Sequence, residues 1–84
     1  MEERVMNVPL RDAKKAKKYE RADEAMKIIR DHLSKHLKAD EDEINLDSSI
    51  NEEVWSNGRS SPPSKVRVRA AKFDDGVVEA EIAE

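Results

Sequence analysis

Cysteine is absent from the 84 residues, which excludes a disulfide framework, a thiolate nucleophile and a Cys-ligated zinc site. Long apolar stretches are absent as well. No apolar run exceeds two residues, so neither a membrane span nor a secretory h-region is present. Both absences fit a cytoplasmic protein with no membrane partner. Glycines number two and aromatics three (Tyr19, Trp55 and Phe73), and there is no Gly-rich loop to cradle a phosphate and no G-x-S-x-G elbow. Leu, Ile, Val and Phe together supply only 17 residues, with alanine adding nine, a composition at the edge of the disordered class. A chain this short holds one domain, residues 1–84, that is small and two-layered or is completed against a partner. A large buried catalytic cleft is not expected.

Charge is what the sequence has in abundance. Its net value of -3 conceals a strong segregation of sign. Residues 39–58 and 74–84 are acidic, whereas 11–21 and 59–73 are basic. In the second basic block Arg59, Lys65, Arg67, Arg69 and Lys72 have no acid between Glu53 and Asp74 to neutralise them. Such a block is an electrostatic footprint for a polyanion. The Lys14, Lys15, Lys17 and Lys18 cluster of the first block reads equally well as a solvated surface or as a binding element.

Apolar periodicity sets the elements. Arg4 to Leu10 alternates, with Met6, Val8 and Leu10 on one face, and Pro9 assigns this strand to a sheet edge or a bulge. A lysine-rich loop over 11–20 follows. Arg21 to Lys38 spaces Ala22, Ala25, Met26, Ile29, Leu33 and Leu37 as an amphipathic helix. Ile44 to Leu46 reads as a short strand, and Ser49-Ile50-Asn51-Glu52 matches a capping box that opens a second helix with Ile50, Val54 and Trp55 on its apolar side. Gly58 ends that helix, and residues 59–64 form a stiff polar connector containing Pro62 and Pro63. Lys65 to Phe73 and Val77 to Ile82 alternate as a hairpin. A three-residue turn Asp74-Asp75-Gly76 sets Val68 opposite Ile82, Ala70 opposite Ala80 and Arg69 opposite Glu81, with Gly76 left-handed. A two-residue turn would mix the faces. The expected order is strand, helix, strand, helix, hairpin.

Candidate chemistry thins out under counting. His32 and His36 have the spacing of H-E-x-x-H, but Leu33 stands where the general-base glutamate belongs, so no metal site is expected. An EF-hand starting at Asp40 would need glycine at 45 and glutamate at 51, and asparagine occupies both. No cofactor, catalytic residue or small-molecule substrate is expected. What remains is Trp55, Asn57, Gly58 and Arg59, a proline-stiffened connector and a strand whose arginines, two residues apart, project from one face. Forked guanidinium donors in that array suit phosphates. Trp55 reads more readily as a core residue of its helix. A small protein-interaction adaptor, working through its acidic segments, is the rival reading. A DNA-binding domain is disfavoured because the second helix carries Glu52 and Glu53 in place of a basic recognition surface.

The block Asn51-Glu52-Glu53-Val54-Trp55-Ser56-Asn57-Gly58-Arg59, with Pro63 and Lys65-Val66-Arg67-Val68-Arg69, resembles the signature region of the archaeal and eukaryotic large-subunit ribosomal protein family numbered thirty-one. The likeness extends back through Val8-Pro9-Leu10-Arg11 and the first helix, and is to archaeal members. The resemblance implies an α+β domain, a small mixed sheet covered by a helix, without catalytic activity. It also implies binding to large-subunit ribosomal RNA near the rim of the polypeptide exit tunnel, beside neighbouring ribosomal proteins. Carried over, Arg11, Trp55, Asn57, Gly58, Arg59, Pro63, Lys65, Arg67 and Arg69 become the RNA-facing set, to which the basic blocks add Lys14, Lys15, Lys17, Lys18 and Lys72. The acidic balance departs from the usual basic character of ribosomal proteins. A salt-rich cytoplasm would account for it, with acids facing water and bases facing RNA. Nine lysines beside seven arginines argue against the most extreme version.

Overall fold

The computed structural model describes every residue except 59 and 84. Six main elements run in the order β1 (Glu2–Pro9), α1 (Arg21–Leu37), β2 (Ile44–Leu46), α2 (Ser48–Trp55), β3 (Lys65–Lys72) and β4 (Val78–Ile82). The four strands form one sheet in the order β1-β3-β4-β2. β1 and β3 are antiparallel, as are β3 and β4, while β2 runs parallel to β4. The fold is therefore α+β with a mixed sheet, and the strand bearing Pro9 is an edge strand. No helix among the described residues is long and apolar enough to cross a membrane.

Alternation divides the sheet into a covered and an open face. Val8, Val66, Val68, Ala70, Ile44, Val78 and Ala80 are buried in one cluster with Ala22, Ala25, Ile29, Leu33 and Leu37 of α1 and Ile50 and Val54 of α2. Both helices thus pack on the same side. The hairpin has the expected register, Val68 to Ile82, Arg69 to Glu81 and Ala70 to Ala80. Its turn is closed by Phe73 N–H donating to Val77 O (2.9 Å) and Gly76 N–H donating to Phe73 O (3.0 Å), with Gly76 at φ +94°. A left-handed residue relieves the mismatch between turn and strand twist, which is why glycine stands there.

Two local features differ from the sequence reading. The α2 cap is Asp47, not Ser49. Asp47 accepts a hydrogen bond from Ser49 N–H at 3.0 Å, and hydrogen bonding from Ser49, hydroxyl and then backbone, draws the Asp47 carboxyl below the usual carboxylate range. The Ser49 hydroxyl instead accepts from Ile82 N–H at 3.1 Å. β2 ends at Leu46, so the last N–H of β4 on that side has no strand to bond, and a side chain completes the ladder. The second difference lies in the lysine-rich stretch, which is folded into two 3-10 turns, Arg11–Lys15 and Lys18–Glu20. Ala13 is its tether, fully buried against the core.

Candidate nucleic-acid interface

Strand parity decides where the basic side chains of β3 go. Lys65, Arg67 and Arg69 project from the open face, all exposed, opposite Pro9, Asn7 and Val5 of β1. Lys72 has the other parity and turns to the covered side. Its ammonium donates to Leu37 O at 2.8 Å and to Lys38 O at 3.4 Å. There it satisfies carbonyls that the end of α1 leaves without intrahelical partners. Lys72 therefore occupies the face opposite Lys65, Arg67 and Arg69 and does not join them.

The three open-face bases are not equivalent. Arg69 lies between two carboxylates, with Nε 3.9 Å from Glu3 and Nη1 3.8 Å from Glu81. Those separations exceed hydrogen-bond length, and the groups are about half exposed, so Arg69 is shared with its neighbours and not locked by them. Among the described residues Arg67 and Lys65 form no ion pair. Around Arg69 the open face becomes a concavity of about 460 Å³ in which that one guanidinium faces Glu3, Glu79, Glu81 and Asp47. Carboxylates dominate it. The cationic part of the sheet is therefore its Lys65 end.

That end is where the other basic block folds back. Leu10 N–H donates to Ser64 O at 2.7 Å, extending the pairing of β1 with β3 into the connector. Arg21, the first residue of α1 and half-buried, donates from Nε to Ala16 O and from Nη1 to Ser60 O, each at 3.4 Å. One guanidinium thereby ties the lysine arm to the connector. Arg11, Lys14, Lys15, Lys17 and Lys18 are all exposed on this arm; Lys15 pairs with Asp12 at 3.3 Å in a fully solvated contact. Asn57 and Gly58 are exposed after α2, with Gly58 at φ +89° and open space where a side chain would be. Pro62 is buried and Pro63 half-buried, so Pro63 is in part a packing residue. Trp55 is half-buried against the core. Arg59 lies outside the described residues.

The structure brings together the arm and the Lys65–Arg67 end of β3 at one pole of a molecule measuring 39 × 24 × 17 Å. At the other end of β3 two acidic turns meet, Glu43 of the 40–43 turn lying against Gly76 of the hairpin turn with its neighbours Asp74 and Asp75, while Glu52 and Glu53 stay exposed on α2 and Glu79 and Glu81 lie along β4. Arg21 was not singled out by sequence reading. Its position at the start of a helix, directly after a lysine cluster, gives no signal without the connector beside it. His32 and His36 stack at 4.1 Å between ring centroids, and no group of three or more metal-ligating side chains exists among the described residues.

Comparison with known proteins identifies the family. A family model described as Ribosomal protein L31e matches residues 3–75. The chain is 63% identical to the large ribosomal subunit protein eL31 of Halorubrum lacusprofundi over 99% of its own length and 94% of the relative's. It is 55% identical to the protein of the same name from Haloarcula marismortui, with the same coverage of both chains. For the one from Methanosphaerula palustris the figures are 50% identity, all of this chain and 94% of the relative. With identities of half or more over nearly every residue, and the matched region reaching from the first strand to the hairpin turn, the chain belongs to the Ribosomal protein L31e family.

Proposed function

We propose that this chain is a structural constituent of the large ribosomal subunit that binds ribosomal RNA near the polypeptide exit tunnel, among neighbouring ribosomal proteins, in the cytoplasm. The family is a structural one without enzymatic activity. The observation that carries the RNA reading is the shared pole. Arg67 and Lys65, on a sheet face that no helix covers, stand beside a lysine arm held in place by Arg21. Bases presented this way neutralise phosphates and displace condensed counterions, which makes affinity fall as salt rises. The two acidic turns lie at the other end of β3, which keeps their charge off the RNA.

Binding of in-vitro transcribed large-subunit ribosomal RNA, measured over a range of salt concentrations, tests the reading. Arg67→Ala should weaken binding and flatten the slope of log affinity against log salt by roughly 0.7 to 0.9, the value of one phosphate contact. Arg69→Ala should do less, since Glu3 and Glu81 already share its charge. Equal isotherms for wild type and Arg67→Ala would remove the strand from the interface. Wild-type protein that ignores RNA yet binds a basic ribosomal protein through its acidic segments would establish the adaptor reading instead.

A further inference from the structure

Among the described residues four large apolar side chains are exposed, Met1, Val5, Tyr19 and Phe73, and of these only Tyr19 sits on the lysine arm. Its side of the molecule offers it no core to join, since it is 68% exposed. The backbone that carries it is nonetheless fixed on both sides. Glu20 N–H donates to Lys17 O at 2.8 Å to close the turn. Arg21 on one flank grips Ala16 O on the other. The Lys18 ammonium lies 5.8 Å from the centre of the ring, inside the range at which a cation is drawn to an aromatic face. A displayed ring with a cation over one face, on a pinned turn, is an arrangement suited to receive an unstacked base on the other face and its phosphate at the cation. Single-stranded RNA is bound in this manner, by stacking on aromatic side chains within a positively charged groove. Trp55, the aromatic that the sequence offers more prominently, is half-buried against the core, whereas the ring of Tyr19 is displayed.

We infer that Tyr19 is a stacking platform for one unpaired base of the RNA bound at the basic pole, with Lys17 and Lys18 holding the adjoining phosphates. The inference rests on the RNA reading above. It adds a chemical class of target, a looped-out or single-stranded nucleotide, that phosphate contacts alone do not require.

The test compares full-length wild type, Tyr19→Ala, Tyr19→Phe and Lys17→Ala for binding to in-vitro transcribed large-subunit ribosomal RNA across salt, with circular dichroism as the folding control. Loss of one base–aromatic stack should weaken Tyr19→Ala about tenfold or more while leaving its salt slope that of wild type. Tyr19→Phe should stay within about twofold, because the ring and not the hydroxyl does the stacking. Lys17→Ala should instead reduce the slope by roughly 0.7 to 0.9. Wild-type affinity in Tyr19→Ala overturns the inference and leaves the RNA reading standing, whereas failure of the wild type to bind overturns both. A Tyr19→Ala variant whose slope also falls has lost the shape of its arm, which overturns stacking as the cause. Normal RNA binding by Tyr19→Ala with weakened retention in isolated subunits would assign the ring to a protein neighbour and equally overturn it.

Discussion

A residue's chemistry is read at once from its name, but which side of the backbone it occupies is not. Lys72 and Arg67 belong to the same basic block, yet one closes the end of α1 and the other faces solvent. The difference is one of parity along β3, and it was visible in the sequence once the strand's covered residues were named. His32 shows the same dependence on placement. Burial is the main cause that lowers its pKa below 6.5, the charge of His36 adds to the effect, and Asp31 opposes it. The folded chain therefore resists a proton that the unfolded chain accepts. Stability contributed by neutral His32 is complete above the unfolded value and is lost as pH falls through about 6.5 toward the lower folded one. Urea midpoints recorded from pH 8 to 5 should decline for wild type and decline less for His32→Gln. Parallel profiles for the two proteins would locate the proton uptake elsewhere.

At the scale of elements, each helix is finished by a group from outside it. α1 ends at Lys38, whose φ of 54° is left-handed, a conformation that costs a residue with a Cβ about 1 kcal/mol or more. The Lys38 N–H donates to Ser34 O, and Lys72 reaches the last carbonyls. The strained backbone is thus held by partners on both sides. Lys38→Gly should raise the unfolding free energy by about 0.5 to 1 kcal/mol, measured by urea denaturation. An unchanged or lowered midpoint would mean that the lysine side chain contributes more there than the backbone loses. α2 is opened by Asp47, one residue after the parallel strand β2. The sequence offered Ser49 for that task because a serine followed three residues later by glutamate has the right pattern. It could not show that β4 needed the same hydroxyl.

For the whole molecule, segregation of charge sets two opposite responses to salt. Like charges are crowded in two places, lysines on the arm and carboxylates where the 40–43 turn meets the hairpin turn. Added salt screens both repulsions, at a Debye length falling from about 10 Å at 0.1 M to about 3 Å at 1 M. The melting temperature of the free protein should rise as sodium chloride increases, over the range in which the proposed RNA binding should weaken. A melting temperature that fell with salt would mean that attraction between the blocks outweighs repulsion within them. The element order, the hairpin register and the edge position of β1 were legible in advance, because alternation, a proline and a turn glycine each act locally. The parallel pairing of β2 with β4, the grip of Arg21 on Ser60 and the exposure of Tyr19 were not. Each depends on segments more than a dozen residues apart, or on a core that has no place for a ring.

Of the four strands, β4 is synthesised after the other three, yet it stands inside the sheet between β3 and β2. Until it arrives β2 has no neighbour, and the Ser49 hydroxyl has no amide to receive. A growing chain can therefore pair β1 with β3 but cannot close the layer under its helices. The sheet becomes continuous only when β4 lies between β3 and β2.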